Sequence, residues 1–349
     1  MNIKMENFIQ KKVDRWKDVY ESKRHFLIML FFTDDNNPPM PPLYMNKKIE
    51  RIEWAKRHYD YCLSPVRQKI DDDYIPNLSV FTGSEVFGEC FGCEVNYPEN
   101  HAPHTLHFVG NPKEAAKIKK PKLEDTSLIQ LLDMAEKLKQ YSGKDALLRL
   151  PDIQDPMSVV AQIWDKSDLF VSMIESPDAV KELAAKVVEL QTEFLDEWYK
   201  RFGKEHIACF PECYMESGLA MPVDEIGSVN SSMFDEFFLS NYNFLSDRYG
   251  GFALHCCAFA EHQWGGLAKI RNLKFINLYA APEIIDKAYA YFADKAVQCH
   301  GVLENGVTDN LLPKHPEEYP ADSRVIIYKN CEDYNDAIRV YEEFLKIYR

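Results

Sequence analysis

Short apolar runs alternate with longer amphipathic stretches along most of the chain. The run Gly251–His255 follows a helix-like segment at 233–249, and the run Phe275–Leu278 precedes another at 282–292. Strands that alternate with helices pair in parallel, through right-handed crossovers. The predicted strands are His25–Phe32, Leu78–Phe81, Ala146–Leu150, Ile207–Phe210, Gly251–His255, Phe275–Leu278, Ala296–Gln298 and Arg324–Tyr328. About eight such strands fit a closed (β/α)8 barrel better than an open sheet. We therefore predict an α/β fold of the TIM-barrel type, as one domain over residues 1–349 with a flanking N-terminal helix at 1–22.

Composition excludes several classes of partner. The formal net charge of -14 argues against a nucleic-acid surface, because phosphate contacts need clustered lysine and arginine. The most apolar run, Phe26–Phe32, is far too short to span a bilayer, so no membrane partner is expected. The 9 cysteines follow an N-terminus without an apolar signal region, which indicates reduced thiols and predicts a cytoplasmic location.

Histidine and cysteine side chains follow the carboxyl ends of two predicted strands. His255 and Cys257 stand at the end of one strand, and Cys331 follows the last one. Active sites of parallel barrels lie at this face, and residues two apart in a strand point the same way. A His/Cys/Cys set can form a catalytic zinc site with one position left for substrate. From composition alone, a buried histidine beside core cysteines is the alternative interpretation.

Several segments resemble one known superfamily. Asp224–Phe237 and Tyr249–Cys257 are similar to a region of the uroporphyrinogen decarboxylase superfamily, in which a phenylalanine-rich helix precedes a strand ending in His-x-Cys-Gly. Gly88–Val95 resembles a stretch of that superfamily's corrinoid methyltransferases, and Arg324–Cys331 resembles its closing strand. The resemblance covers roughly residues 75–349, and it implies a TIM barrel.

The resemblance implies a zinc-dependent methyltransferase rather than a decarboxylase. In that branch Zn²⁺ would be held by His255, Cys257 and Cys331, and a methyl group would move between a corrinoid and a small thiol. The corrinoid is expected on a separate protein, because the sequence has no Asp-x-His-x-x-Gly motif. A metal-free relative that binds a tetrapyrrole or corrinoid, or acts as a lyase, is the alternative.

The chain departs from the family pattern in two places. Where the decarboxylase has an arginine-rich loop for its polycarboxylate substrate, this sequence has Asp34 and Asp35, so decarboxylation of uroporphyrinogen is not expected. Ala258 replaces the glycine after His-x-Cys, and Asn230 stands where the family has a serine. These changes leave the expected ligands in place but suggest a different substrate.

Further strand-end residues are candidates for the site. Cys299 and His300 follow the predicted strand at 296–298, and either could be a fourth zinc ligand. Glu89 and Glu212 follow other predicted strands, and carboxylates there can orient zinc ligands or act as bases. With Asn230 they complete the set of predicted catalytic residues.

Overall fold

The computed structural model describes residues 3–37, 39–98, 101–143, 145–304, 307–309 and 315–348. Its strands are β1 (His25–Phe32), β2 (Asn77–Ser79), β3 (Glu94–Asn96), β4 (His104–Leu106), β5 (Leu147–Arg149), β6 (His206–Ile207), β7 (Tyr214–Met215), β8 (Leu219–Pro222), β9 (Phe252–Cys256), β10 (Leu273–Ala280), β11 (Val297–Gln298), β12 (Gly301–Glu304), β13 (Val307–Asp309) and β14 (Arg324–Cys331). Its α-helices are α1 (Ile3–Glu21), α2 (Lys48–Cys62), α3 (Val86–Cys90), α4 (Pro112–Ala115), α5 (Leu128–Ser142), α6 (Pro156–Ile163), α7 (Lys166–Glu175), α8 (Pro177–Phe202), α9 (Ser231–Phe237), α10 (Leu239–Tyr249), α11 (Trp264–Leu267), α12 (Pro282–Phe292) and α13 (Tyr334–Tyr348). None of the described helices combines the length and the apolar character needed to cross a bilayer.

Parallel strands with helical connections form the centre of the molecule. One series of parallel strands runs β1, β14, β11, β10, β9, β8, and a second runs β2, β5, β6. The longest pairing joins β1 to β14, from His25 opposite Arg324 to Phe32 opposite Cys331. The predicted α/β class with a parallel sheet and flanking helices is confirmed.

Both series of strands enclose one shared core. Inward side chains from eight strands meet in a single apolar cluster: Leu27 and Met29 of β1, Leu147 of β5, Ile207 of β6, Ala220 of β8, Ala253 of β9, Phe275 of β10, Val297 of β11 and Ile326 of β14. A barrel interior is filled in this way by layers of side chains from successive strands. The helices pack outside, where a second and larger cluster lies.

Two aspartates replace a strand partner along the free edge of β1. The Asp73 carboxylate accepts the Ile28 N–H at 2.8 Å, and the Asp72 carboxylate accepts the Leu30 N–H at 3.0 Å. Buried backbone N–H groups must be paired, and here side chains satisfy them in place of a strand. This explains why, among the described residues, no strand pairing joins β1 to β2.

The N-terminal helix α1 covers the end of the barrel where the strands begin. Ile9, Val13, Trp16 and Val19 are spaced three or four residues apart and are buried in the interior cluster. The Trp16 indole N–H donates to the Asp73 carbonyl at 2.8 Å, which anchors the helix to the segment before β2. The predicted N-terminal helical extension is therefore present, and it leaves the opposite end of the barrel open for a site.

The strand prediction differs from the structure in detail. The strand expected at 207–210 is β6 at His206–Ile207, and the next residues form a loop back to β7. Strand β8 at Leu219–Pro222 was not predicted, because its four residues end in proline and follow a glycine. This omission matters, since β8 leads directly into a residue of the site.

Candidate functional site

Three side chains that could hold a metal ion converge at the carboxyl ends of β8 and β9. The two strands are parallel neighbours with Pro222 opposite His255, and Asp224 and Cys257 each follow two residues later. One ligand atom from each of Asp224, His255 and Cys257 lies within 4.8 Å of the others. In the part of the chain that the structure describes, this is the one such group of three or more His, Cys, Asp or Glu side chains.

His255 is held by a hydrogen bond that determines which nitrogen faces the cluster. The Asn277 amide group donates through Nδ2 to the Cys299 carbonyl, so its Oδ1 is left as an acceptor. His255 Nδ1 lies 2.5 Å from that oxygen and must therefore be the donor. The lone pair is then on Nε2, as in metal sites where a hydrogen bond fixes the histidine tautomer. Burial lowers the pKa of His255, which favours the neutral ring that a metal needs.

Cys257 and Asp224 are in direct contact. The Cys257 backbone N–H donates to Asp224 Oδ1 at 2.6 Å. Partial burial of the thiol and the adjacent carboxylate raise the pKa of Cys257 to about 12. A bound cation would reverse this effect, because a coordinating thiol is deprotonated outright. Two potentially anionic ligands beside a neutral imidazole are suited to a divalent cation.

Cys331, which was predicted as the third ligand, lies elsewhere. Side chains of β14 alternate, so Ile326 and Tyr328 point into the barrel, whereas Ile327 and Cys331 point outwards. The Cys331 thiol packs in an apolar cluster with Phe344 of α13. The prediction located Cys331 correctly at the end of the last strand but assigned it to the wrong face. Asp224 occupies the place that Cys331 was expected to take.

Cys299 and His300, the two candidates for a fourth ligand, make other contacts within the protein. His300 accepts the Leu278 N–H through Nδ1 at 3.1 Å, and its Nε2 lies 3.0 Å from Gln298 Oε1. Both ring nitrogens are thus used within the protein, and burial lowers the pKa of His300 to about 3. Cys299 is buried in the barrel interior, and its carbonyl accepts from Asn277. It therefore supports His255 through Asn277 instead of joining the cluster.

Glu89 and Asn230 have local structural roles. The Glu89 carboxylate accepts the Ser127 hydroxyl at 3.1 Å. Asn230 is the N-cap of α9, where its Oδ1 accepts the Met233 N–H at 3.0 Å and the Ser232 hydroxyl at 2.7 Å. Capping an exposed helix end is a common role for asparagine. Neither residue belongs to the three-residue cluster, so their predicted catalytic roles stay predictions.

Glu212 lies at the inner end of a separate pocket of about 370 Å³. Glu212 Oε1 accepts from the Arg149 guanidinium at 2.6 Å, and Oε2 lies 3.2 Å from the Tyr74 hydroxyl. Asn77 Nδ2 also approaches Glu212 Oε2, at 3.4 Å. Arg149, Tyr74 and Asn77 were not predicted from the sequence. Sequence position alone gives no signal that these three separated segments, at 74–77, 149 and 212, meet at one pocket.

One loop connects the pocket with the histidine and cysteine cluster. Residues 208–213 follow β6, and the loop is closed by the Ala208 N–H donating to the Cys213 carbonyl at 2.8 Å. The Phe210 ring stacks edge-on against the His255 ring at 4.5 Å, and Glu212 enters the pocket two residues later. Both features therefore lie side by side at the open end of the barrel.

Comparison with known proteins identifies relatives of the chain. Residues 72–298 match the family model described as uroporphyrinogen decarboxylase (URO-D). Among solved structures, the fold resembles a methyltransferase from Methanosarcina mazei with a TM-score of 0.61 and 13% sequence identity, covering 84% of this chain and 86% of that one. At this identity the likeness concerns the fold alone. No curated protein matches the sequence.

Proposed function

Because this chain belongs to the uroporphyrinogen decarboxylase family, we propose that it is a zinc-dependent methyltransferase of that family. Its reaction would move a methyl group between a corrinoid, carried by a separate protein, and a small thiol. The observation that carries this proposal is the convergence of Asp224, His255 and Cys257 at the open end of the barrel.

The ligand atoms that these three side chains offer are those that zinc prefers. Catalytic zinc sites use three protein ligands, drawn from histidine nitrogen, cysteine sulfur and carboxylate oxygen, and keep a further position for substrate. His255 already has its second nitrogen fixed by Asn277, at 2.5 Å, as a ligating histidine requires. Cys257 is exposed, so a substrate can reach the cluster from solvent.

Each side chain has a distinct part in the proposed reaction. Zinc bound here would supply the Lewis acidity that keeps a substrate thiol in its nucleophilic thiolate form. Asp224 and Cys257 would together offset the dipositive charge of the ion, so that the substrate sulfur keeps its electron density. The Phe210 ring packs edge-on against His255 at a ring separation of 4.5 Å and so covers one side of it.

Decarboxylation of uroporphyrinogen is the less suitable reaction for this site. A substrate with many carboxylates needs free arginines, but Arg67 and Arg149, which line the pocket, are engaged by carboxylates of the protein. Arg67 binds Asp72 at 2.9 Å, and Arg149 binds Glu212 at 2.6 Å. Asp34 also lines this pocket and would repel an anionic substrate.

A methyl-transfer assay tests the proposal. The zinc-loaded protein is incubated with methylcobalamin and a small alkyl thiol, and the methylated thiol is measured by mass spectrometry. We expect formation of thioether that falls by at least about a hundredfold in His255→Gln, since a ligand is lost. His104→Gln, which changes an exposed histidine of β4, is the control and should keep full activity. Equal activity in wild type and His255→Gln, or conversion of uroporphyrinogen to coproporphyrinogen, would refute the proposal.

A further inference from the structure

We propose that the pocket beside the cluster binds an uncharged molecule with an apolar body and a hydrogen-bonding head, such as a hydroxyl or amide group. The Arg149–Glu212 pair would determine this preference for a neutral ligand. That the ligand is a substrate rests on the proposed function. Binding of the ligand to the pocket does not require zinc. The walls of the pocket, its charges and one unsatisfied polar atom favour this class of ligand.

The walls of the pocket are apolar and largely aromatic. They include Leu30, Phe31, Phe32, Met40, Trp54 and Tyr61. A volume of about 370 Å³ is within the range of small-molecule sites, which typically combine such walls with a few polar groups. Four hydrogen-bonded polar side chains, Tyr74, Asn77, Arg149 and Glu212, meet at the inner end. The remaining polar lining residues are Thr33, Asp34, Asn37, His58, Arg67 and Ser79.

Arg149 and Glu212 neutralise each other at that inner end. Their side chains are only 6% and 17% exposed and lie 2.6 Å apart. Arg149 Nε also donates to the Cys209 carbonyl at 3.0 Å, and the guanidinium lies 4.2 Å from the centre of the Phe81 ring. A charged ligand placed here would leave an uncompensated charge away from water, which is strongly unfavourable.

None of the other titratable groups of the pocket adds a charge at the inner end, where Arg149 and Glu212 meet. Arg67 is bound by the buried Asp72 at 2.9 Å. Burial lowers the pKa of His58, so its ring is neutral at neutral pH. Asp34 is nearer the solvent, where it accepts the Tyr61 hydroxyl at 2.8 Å and the Asn36 N–H at 2.8 Å. No cation of the described pocket lining therefore remains available for an anionic ligand.

One buried polar atom of the pocket lining lacks a hydrogen-bond partner. Asn77 is 1% exposed, and its Oδ1 has no hydrogen-bond partner in the structure. Its Nδ2 approaches the Tyr74 hydroxyl and the Ile75 carbonyl, each at 3.2 Å, so the amide cannot turn over without losing these contacts. A ligand O–H or N–H that reaches this end of the pocket would supply the missing donor.

The pocket is also placed to serve the cluster. The loop 208–213 provides Phe210 against His255 and Glu212 at the inner end of the pocket. A second aromatic ring, Tyr279, lies 5.6 Å from the His255 ring and 6.2 Å from Phe210. The pocket and the proposed thiol site thus share one loop, which contributes a side chain to each.

Three probes of similar shape test the charge preference. The purified full-length protein is titrated with 2-naphthalenemethanol, 2-naphthoate and 2-naphthylmethylamine at pH 7, with binding followed by calorimetry or ligand-observed NMR. Wild type should bind the alcohol at least about tenfold more tightly than either ion, which corresponds to about 1.4 kcal/mol. Tighter binding of an ion, or no detectable binding of the alcohol, would overturn the inference.

Two variants of the ion pair should each shift the preference from the neutral probe to a charged one, with opposite signs of charge. Glu212→Gln leaves the Arg149 charge without its carboxylate partner and should favour naphthoate, whereas Arg149→Gln should favour the amine. Glu205→Gln, which changes an exposed carboxylate bonded to Lys17 at the other end of the barrel, should keep the wild-type order. If Arg149→Gln does not fold, the near-isosteric Glu212→Gln variant alone tests the role of the ion pair. The same order of probe affinities in Glu212→Gln as in wild type would contradict the inference.

Zinc content and methyl transfer are measured on the same preparations. Lack of probe selectivity in a protein that binds zinc and transfers methyl groups would refute the pocket assignment alone. Selective binding of the alcohol by a protein without methyl transfer would refute the proposed function alone.

Discussion

Replacing Cys257 with serine is expected to lower the zinc content of the purified protein from about one ion per chain to nearly none. The reason is that serine offers no thiolate, while Asp224 and His255 alone give too few protein ligands for a stable site. Metal analysis by plasma mass spectrometry after dialysis measures the change. The folded state of each variant is checked by circular dichroism.

Cys331→Ser is the matched control for this experiment. The Cys331 side chain packs against α13 in an apolar cluster, so its loss should leave zinc content unchanged while reducing stability modestly. If Cys331→Ser loses zinc and Cys257→Ser keeps it, the ligand set derived from the structure is incorrect. The two variants therefore discriminate between the ligand set predicted from sequence and the one seen in the structure.

Asp72→Asn is expected to lower the free energy of unfolding by about 3–5 kcal/mol, the usual cost of breaking a buried ion pair. Asp72 is fully buried between two cations, with Lys12 Nζ at 3.2 Å and Arg67 at 2.9 Å. It also accepts the Leu30 N–H on the free edge of β1. An asparagine leaves both cations buried without their counter-charge. Urea denaturation followed by circular dichroism measures the loss.

The neighbouring Asp71→Asn provides the control for this change. Asp71 is more than half exposed and pairs with Arg15 at 3.1 Å, so its replacement should cost less than about 1 kcal/mol. Equal losses in the two variants would contradict the assigned role of Asp72.

The stability that Asp72 provides should also depend on pH in one direction. Burial alone would raise its pKa, but the charges of Arg67 and Lys12 hold the pKa of Asp72 below its ordinary value of 3.8. Its contribution is then complete above that value and is lost as the pH falls through the lower pKa of the folded state. The difference between wild type and Asp72→Asn should therefore shrink only in strong acid.

The sequence predicts the parts of the site that follow from strand periodicity. His255 and Cys257 are correctly placed together, because a strand ending His-x-Cys directs both side chains to one face. The same rule, applied to β14, shows that Cys331 shares a face with Ile327 and not with Tyr328. Its predicted place among the ligands was based on the strand end and on the family resemblance, and neither takes this alternation into account.

The residues missed from the sequence were missed for two different physical reasons. Asp224 could not be placed at the rim, because the short strand β8 that precedes it was not recognised. Asn277 does carry a signal, since it is a lone polar residue within the apolar run of β10 and is 2% exposed. A buried amide in a strand needs hydrogen-bond partners, and these are His255 and the Cys299 carbonyl. The pocket around Glu212 depends on contacts between distant segments that no local pattern contains.

X-ray absorption at the zinc edge tests the central claim most directly. With Asp224, His255 and Cys257 as ligands, the protein without substrate should show one sulfur among its zinc neighbours, at about 2.3 Å, with nitrogen and oxygen in the other positions. Addition of a small alkyl thiol should raise the number of sulfur neighbours to about two, as the substrate thiolate takes the remaining position. Two sulfurs before any thiol is added, or a sulfur number that the thiol leaves unchanged, would contradict the account.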